Sequence, residues 1–142
     1  MLQRKLSLIF GNIRGLFPEN NLTKINILSD MTQFYDANMI IVTESHLNEY
    51  IASEELNISD WTLHRADRSN RWGGGVAIYV KNDMIITDKF TFSNDYCEII
   101  GIYIPKQNYI NITIYRPPGC PTDKFNEIIQ MSDNWINRIE RK

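Results

Sequence analysis

Three largely apolar runs along the chain each lead to a polar residue that can take part in phosphate chemistry. The runs cover residues 6–10, 39–42 and 110–114, and the polar residues are Asn12, Glu44 and Tyr115. A strand that is buried on both faces has a continuous apolar sequence, and its carboxyl end is where an α/β sheet presents ligand-binding groups. The pattern therefore predicts that these three side chains converge on one edge of a sheet.

The periodicity of the rest of the chain predicts an α/β order of elements. Apolar residues recur with helical spacing between residues 21 and 35, which indicates an amphipathic helix and completes a βαβ unit with strands at 6–10 and 39–43. A short helix is expected at 48–56, and Thr122 is expected to cap a final helix. The other predicted elements are strands at 58–64, 76–80, 84–87, 98–104 and 110–115, with a hairpin loop at 106–108.

Each polar strand end also has a simpler interpretation, because any sheet ends its strands in polar residues where the chain turns in water. The combination favours a site: Asn12 follows a glycine, Glu44 follows five residues of which four are apolar, and Tyr115 opens a rigid Tyr-Arg-Pro-Pro corner. The triple glycine at 73–75 lacks the Lys-Ser or Lys-Thr of a P-loop and precedes a strand. It therefore predicts a strand start where backbones approach closely.

Length and composition indicate a single domain that works inside the cell. The 142 residues are 43% hydrophobic and 23% charged, and the apolar run after the basic opening is too short for a signal sequence or a membrane span. We therefore expect a nuclear or cytoplasmic location. Cys97 and Cys120 lack the spacing of a zinc site or a disulfide framework, so both are expected to be packing residues.

Charge gives a mixed indication about nucleic acid. The net charge of −2 argues against binding through bulk electrostatics. The loop from Arg65 to Trp72 differs from the rest of the chain, because Arg65, Arg68 and Arg71 lie beside the tryptophan. These side chains are suited to contact a DNA backbone and to stack on a base. The alternative interpretation is an ordinary solvated polar loop.

Four segments occur in the order and spacing of a known superfamily. They are Asn-Ile-Arg-Gly-Leu at 12–16, Thr-Glu-Ser at 43–45, Arg-Ala-Asp-Arg at 65–68 with Gly-Gly-Gly-Val-Ala-Ile-Tyr-Val at 73–80, and Ile-Tyr-Arg-Pro-Pro at 114–118. The chain resembles the endonuclease/exonuclease/phosphatase superfamily, and most closely the apurinic-endonuclease-like domain of non-LTR retrotransposon proteins. The resemblance covers essentially all 142 residues.

The resemblance implies a DNase I-like α/β sandwich of two sheets with outer helices, and a metal-dependent endonuclease that cleaves DNA phosphodiester bonds. By position, Glu44 would bind Mg²⁺, with Mn²⁺ as an alternative, since Mg²⁺ often takes one or two carboxylates plus substrate phosphate. Asn12 would contact the phosphate or hold a catalytic carboxylate in place, and Tyr115 would donate to the oxyanion. The DNA contacts would come from Arg65, Arg68, Arg71, Trp72 and Arg116.

The superfamily pattern also includes groups that this sequence does not contain. A Gly-Asp-Phe-Asn-like strand and a Ser-Asp-His segment supply its later catalytic residues, and neither His46 nor His64 lies in a matching motif. Residues 1–142 are therefore expected to be the amino-terminal half of the domain, without its carboxy-terminal catalytic motifs and with activity close to background. The alternatives are a non-catalytic remnant that acts as a binding module, and a phosphatase of the same superfamily.

The half-domain interpretation also predicts the behaviour of the isolated chain. The inner face of its sheet would be uncovered, because the facing strands would lie in the absent half. An exposed apolar face larger than a few hundred Å² marks a binding or aggregation surface. The chain is therefore expected to be poorly soluble or to self-associate through that face.

Overall fold

Two β-sheets pack face to face, and helices cover their outer sides. The computed structural model describes residues 5–16, 23–69 and 72–141. Within these residues, 3₁₀ turns lie at Ser53–Leu56 and Pro105–Gln107. The strands and helices are β1 (Leu8–Asn12), α1 (Thr23–Tyr35), β2 (Met39–Thr43), β3 (Trp61–Ala66), β4 (Val76–Lys81), β5 (Asp88–Ser93), β6 (Glu98–Ile104), β7 (Tyr109–Tyr115) and α2 (Thr122–Glu140).

The first sheet has the strand order β1-β2-β4-β3. β1 and β2 are parallel because α1 carries the chain back between them, so the predicted βαβ unit is confirmed. β4 runs antiparallel to β2 and starts opposite its last residue, with Val76 paired to Thr43. The carboxyl ends of β1 and β2 and the start of β4 therefore lie at the same edge of the sheet.

The second sheet is an antiparallel meander in the order β5-β6-β7. The hairpin loop predicted at 106–108 is confirmed, because a 3₁₀ turn and Asn108 in the left-handed region (φ +49°) reverse the chain between β6 and β7. Along β6, Ile100 faces the first sheet whereas Ile99 packs in the cluster beneath α2. The last residue of β7, Tyr115, lies opposite the first residue of β6, Glu98.

The interior of the sandwich is built from both sheets of this chain. Met39 and Ile41 of β2 and Ile78 of β4 pack with Ile100 and Ile102 of β6, and each is at most 4% exposed. The predicted uncovered inner face is therefore wrong over β2 and β4, because the β5–β7 meander supplies the facing sheet that the sequence interpretation assigned to absent strands. Self-association of the chain stays a prediction.

Exposed apolar side chains remain on the edge strand β1. Leu8 is 41% exposed and Phe10 68%, although they share a sheet face with the buried Met39 and Ile41 of β2. Within the described part of the chain, β1 pairs with β2 and with no other strand. β7 packs over β2 and β4, so the side chains of β1 project past the covered part of the sandwich.

Several predicted elements have different bounds in the structure. The first strand is Leu8–Asn12 instead of 6–10, which places Asn12 inside the strand. The strand predicted at 84–87 is wrong, because those residues form a connection and the strand follows at Asp88–Ser93. The strand predicted at 58–64 is Trp61–Ala66, and the helix predicted at 48–56 is reduced to the turn Ser53–Leu56. The first two predicted residues of the helix at 21–35 lie outside the described residues.

The outer layer over the second sheet contains both cysteines. Cys97 and Cys120 are buried in the cluster beneath α2, with their Sγ atoms 3.0 Å apart. They serve as packing residues, as predicted from their spacing. Among the described residues, neither α1 nor α2 has the length and apolar content that a membrane span requires.

Candidate active site

The three predicted strand-end residues lie together at one edge of the sandwich. Asn12 ends β1, Glu44 follows β2 directly, and these strands are parallel with Asn12 opposite Thr43. Tyr115 ends β7 in the facing sheet, so the prediction that all three residues share one sheet is wrong for Tyr115. Its hydroxyl nevertheless reaches across and donates a 2.8 Å hydrogen bond to Oε1 of Glu44. The Asn12 side chain also hydrogen-bonds this carboxylate. The two sheets therefore deliver an amide, a carboxylate and a phenol to one point.

The protonation states of this cluster follow from its hydrogen bonds. The Tyr115 hydroxyl holds the pKa of Glu44 below its usual range, with a smaller contribution from Asn12, although burial acts in the opposite direction. Burial, and then the hydrogen bond to Glu44, raises the pKa of Tyr115. At neutral pH the site therefore presents an ionised carboxylate beside a protonated phenol.

Tyr115→Phe is expected to raise the pKa of Glu44 toward that of an ordinary carboxyl group, because the substitution removes the largest cause of its depression. A pH titration of the Glu44 side-chain carboxyl carbon by NMR measures this directly. Tyr109→Phe is the matched control, since Tyr109 starts the same strand and its hydroxyl accepts a hydrogen bond from Asn111. An unchanged Glu44 midpoint in Tyr115→Phe, or an equal rise in the control, would contradict the assignment.

The backbone around Glu44 is held in an unusual conformation. Glu44 and His46 both have a φ of +54°, in the left-handed region that side chains other than glycine rarely adopt. The carbonyl of Glu44 accepts from the Gly15 amide at 2.7 Å, and the His46 amide donates to the carbonyl of Gly74 at 2.9 Å. Such strain persists only where the surroundings fix it, and it is concentrated at functional sites.

The triple glycine supports this backbone from the side of β4. Gly73, Gly74 and Gly75 all have positive φ, at +98°, +61° and +92°. A Cβ atom on Gly75 would overlap the hydroxyl of Ser45, which is itself buried. The prediction of a strand start with closely approaching backbones is therefore confirmed.

A buried ion pair lies behind Tyr115, and sequence reasoning missed it. Glu98 is fully buried, accepts a hydrogen bond from the Gly75 amide, and accepts another from Nε of Arg68 at 3.3 Å. The Arg68 guanidinium also donates to the carbonyl of Tyr96 at 3.0 Å and lies 5.7 Å from the centre of the Tyr115 ring. The signal in the sequence was a lone charged residue at the start of the apolar run of β6.

Two of the arginines predicted to bind DNA are used inside the protein instead. The Arg68 side chain is only 9% exposed because of its pairing with Glu98. Arg65 donates to the carbonyls of Asn48 and Ile51 and to the carboxylate of Asp67, at 2.9, 2.7 and 2.7 Å. The prediction of DNA contact is therefore not supported for these two arginines, since their guanidinium groups already donate hydrogen bonds to acceptors of the same chain.

The remaining residues predicted to bind DNA have different outcomes. Trp72 is 82% exposed, and its ring lies 4.8 Å from that of His46. Arg116 is exposed, lies 4.3 Å from the centre of the Phe125 ring and donates to the carbonyl of Cys120 at 3.3 Å. Arg71 lies outside the described residues. Trp72 is therefore the described member of this set that lies both at the surface and beside the carboxylate site.

The two histidines lie in different surroundings. His46 is two residues from Glu44, and burial lowers its pKa. His64 lies on β3, which β4 separates from β2, and burial together with nearby Lys89 lowers its pKa to about 4. In the described part of the chain, no group of three or more His, Cys, Asp or Glu side chains is arranged to hold a metal ion. A metal at this site would therefore rest on Glu44 and neutral oxygens.

Known structures share this architecture, whereas no family model and no curated protein matches the sequence. An AP endonuclease from Archaeoglobus fulgidus superposes with a TM-score of 0.59 at 16% identity, over 95% of this chain and 49% of that one. TDP2 from D. rerio, complexed with a single-strand DNA product, has a TM-score of 0.61 at 12% identity, over 93% and 54%. The chain has the DNase I-like fold.

A third structure with the DNase I-like fold is an endonuclease/exonuclease/phosphatase family protein from Leptotrichia buccalis. It has a TM-score of 0.56 at 15% identity, over 89% of this chain and 61% of that one. The α/β sandwich implied by the sequence motifs is thereby confirmed. The chain spans about half the length of these DNase I-like proteins.

Proposed function

We propose that this chain is the amino-terminal part of a magnesium-dependent DNA endonuclease of the non-LTR retrotransposon type. The observation that carries the proposal is the cluster of Asn12, Glu44 and Tyr115, in which residues from both sheets meet at one ionised carboxylate. The four ordered sequence motifs and the DNase I-like fold support the same assignment.

The residues of the cluster fit a hard metal ion. Glu44 provides a carboxylate, and its pKa is held below the usual range. Asn12 provides an amide that is already directed at the same carboxylate. Mg²⁺ prefers oxygen ligands and commonly uses one or two carboxylates together with substrate phosphate, and Mn²⁺ accepts a similar set. Bound there, the metal would polarise the phosphoryl oxygen of a DNA phosphodiester.

Tyr115 has the properties of an oxyanion donor. Its raised pKa keeps the hydroxyl protonated, and the buried pair of Arg68 and Glu98 lies behind its ring. With substrate bound, this hydroxyl would turn its single proton from Glu44 to a phosphate oxygen that gains negative charge. Removal of one such donor costs about 10²–10³ in rate in enzymes that use it.

The described cluster does not by itself provide a general acid and base. We propose that these groups come from the part of the domain that corresponds to the unmatched half of the DNase I-like structures. Loss of one general acid–base group costs about 10²–10⁴ in rate. The 142 residues alone are therefore expected to cleave DNA at a rate close to background.

Two other functions use the same geometry. A phosphatase of this superfamily would also place a metal and a phosphate at Glu44, and a binding module would retain the surface without the chemistry. The exposed Trp72 beside the carboxylate favours DNA, because a base can stack on it.

The experiment that separates these functions starts with the genomic reading frame around this stretch. The endonuclease proposal expects the frame to continue into Gly-Asp-Phe-Asn and Ser-Asp-His motifs and then a reverse transcriptase. The polypeptide encoded by that frame is then assayed with Mg²⁺ on supercoiled plasmid and on a phosphate monoester. Nicking without phosphate release supports the proposal, whereas phosphate release without nicking supports the phosphatase, and neither activity supports the binding module.

A further inference from the structure

A cavity of about 470 Å³ lies beside the candidate active site, and the proposed chemistry does not use it. It is formed by the turn after β2 and the connection between β3 and β4, and its lining includes Tyr50 and Trp72. Its volume is within the range of pockets that hold small organic groups, about 300–1,000 Å³. Two of its lining residues connect it to the site: Arg68 lies 5.7 Å from the centre of the Tyr115 ring, and the Trp72 ring lies 4.8 Å from that of His46, two residues after Glu44.

Two large aromatic rings in this lining are turned toward solvent. Tyr50 is 86% exposed and Trp72 82%, among the most exposed aromatic side chains in the described residues. Aromatic rings leave water readily and are enriched where a partner covers them. Their position at the rim of one cavity indicates a ligand with a flat, apolar face.

The turn that carries Tyr50 is rigid although its side chain is exposed. Oδ1 of Asn48 accepts a hydrogen bond from the backbone amide of Tyr50 at 2.8 Å. The Arg65 guanidinium donates hydrogen bonds to the carbonyls of Asn48 and Ile51, which lie before and after Tyr50 in the chain. This arrangement gives Arg65 its function, which is to hold the turn in place. A ring presented on a fixed turn loses little freedom when it stacks on a ligand.

The charges of the cavity argue against a phosphate and for a base. Asp67 is paired with Arg65 at 2.7 Å, and Arg68 is paired with the buried Glu98. Glu49, which also lines the cavity, adds a carboxylate that repels phosphate. Nucleobases have apolar faces and polar edges, and all four bases stack on aromatic side chains.

We propose that this cavity binds an unpaired nucleobase of the DNA substrate, stacked on Trp72 and Tyr50, while its phosphodiester lies at Glu44. The inference rests on the proposed DNA endonuclease function and adds a substrate preference to it. Single-stranded or locally opened DNA is bound in preference to a closed duplex, because a paired base cannot enter the cavity without leaving its stack.

The test uses the fluorescence of Trp72 in the 142-residue chain. Of the three tryptophans, Trp61 and Trp135 are only 9% and 3% exposed, so external quenching reports on Trp72. Oligothymidylate is titrated in the presence of EDTA, and the same backbone with abasic tetrahydrofuran units is titrated in parallel. Quenching by the base-containing strand at concentrations where the abasic strand has no effect is expected. Equal quenching by both strands, or by neither, would overturn the proposal.

Substitutions assign the effect to the two rings. Trp72→Leu and Tyr50→Leu are expected to weaken oligothymidylate binding, measured by fluorescence anisotropy of a labelled strand, by about 5- to 100-fold each. Trp72→Phe and Tyr50→Phe should restore most of the affinity because they keep a ring. Phe34→Leu is the matched control, since Phe34 is 81% exposed but lies on α1 away from the cavity. An equal loss in the control, or no loss in either leucine variant, would contradict the stacking site.

The outcome is separable from that of the proposed function. Binding is measured without metal, so it reports on the two rings and not on the metal-dependent cleavage. If the ring substitutions have no effect on binding but the complete enzyme nicks DNA, the base site alone is wrong. If the strand binds as expected but the complete enzyme does not cleave DNA, the endonuclease proposal is wrong and the base site stands.

Discussion

Glu98→Gln is expected to destabilise the fold by about 3–5 kcal/mol, out of a total of about 5–15 kcal/mol for a typical single domain. Glu98 is fully buried and neutralises Arg68, whose side chain is only 9% exposed. Glutamine keeps the volume and an oxygen for the Gly75 amide, but it removes the carboxylate that neutralises the buried guanidinium. The urea midpoint should fall at an unchanged m-value.

Two further variants make this expectation specific to the buried charge. Asp67→Asn removes the carboxylate of a more exposed pair, with side chains 16% and 22% exposed, and should cost only about 1 kcal/mol or less. The double variant Glu98→Gln with Arg68→Met removes both charges, keeps an oxygen for the Gly75 amide, and should recover most of the lost stability. A destabilisation by Glu98→Gln no larger than that of Asp67→Asn would show that the pair does not support the fold.

In the complete enzyme that we propose, Glu44→Gln is expected to reduce Mg²⁺-dependent nicking of DNA to the level measured without metal. Glu44 is the carboxylate on which Asn12 and Tyr115 converge, and a neutral amide is a much poorer ligand for a hard cation. The substitution removes a charge but little volume, so the urea midpoint should stay close to that of the wild type. Nicking of supercoiled plasmid measures the activity.

Glu54→Gln is the control for this substitution. Glu54 is an exposed carboxylate on the 3₁₀ turn at Ser53–Leu56, so its replacement makes the same chemical change away from the cluster. Nicking should be unaffected. Unchanged cleavage by Glu44→Gln would show that the metal is held elsewhere.

The meeting of Asn12 and Glu44 was predictable from sequence because it follows from strand direction. β1 and β2 are parallel because a helix connects them, and a polar residue at the end of each must reach the same edge. Tyr115 was expected on the same sheet but ends β7 of the facing sheet, so its contact with Glu44 depends on how the two sheets pack. The close approach at Gly75 was predictable for a related reason, since three glycines before a strand leave room for a neighbouring backbone. Local pattern decides both features.

The roles of Arg65 and Arg68 could not be predicted in this way. The sequence shows their charge and the tryptophan nearby, but not their hydrogen-bond acceptors. Those of Arg68 lie about 30 residues further along the chain, and a carbonyl that Arg65 binds belongs to the turn that precedes β3 in the sequence. The strand β5 was missed because its Asp-Lys-Phe-Thr-Phe-Ser sequence alternates polar and aromatic residues at an edge and has no continuous apolar run. The covered inner face was missed for a different reason, because β6 and β7 were predicted as strands but not as part of a second sheet that faces the first.

The most direct test of the central claim is paramagnetic broadening of the amide NMR signals of the 142-residue chain by Mn²⁺. If Glu44 is the centre of a divalent-metal site, trace Mn²⁺ should broaden the signals of Asn12, Glu44 and Tyr115 first, and excess Mg²⁺ should restore them. In Glu44→Gln this selective broadening should disappear. Broadening centred on other residues, or the same pattern in Glu44→Gln, would contradict the metal site at the meeting point of the two sheets.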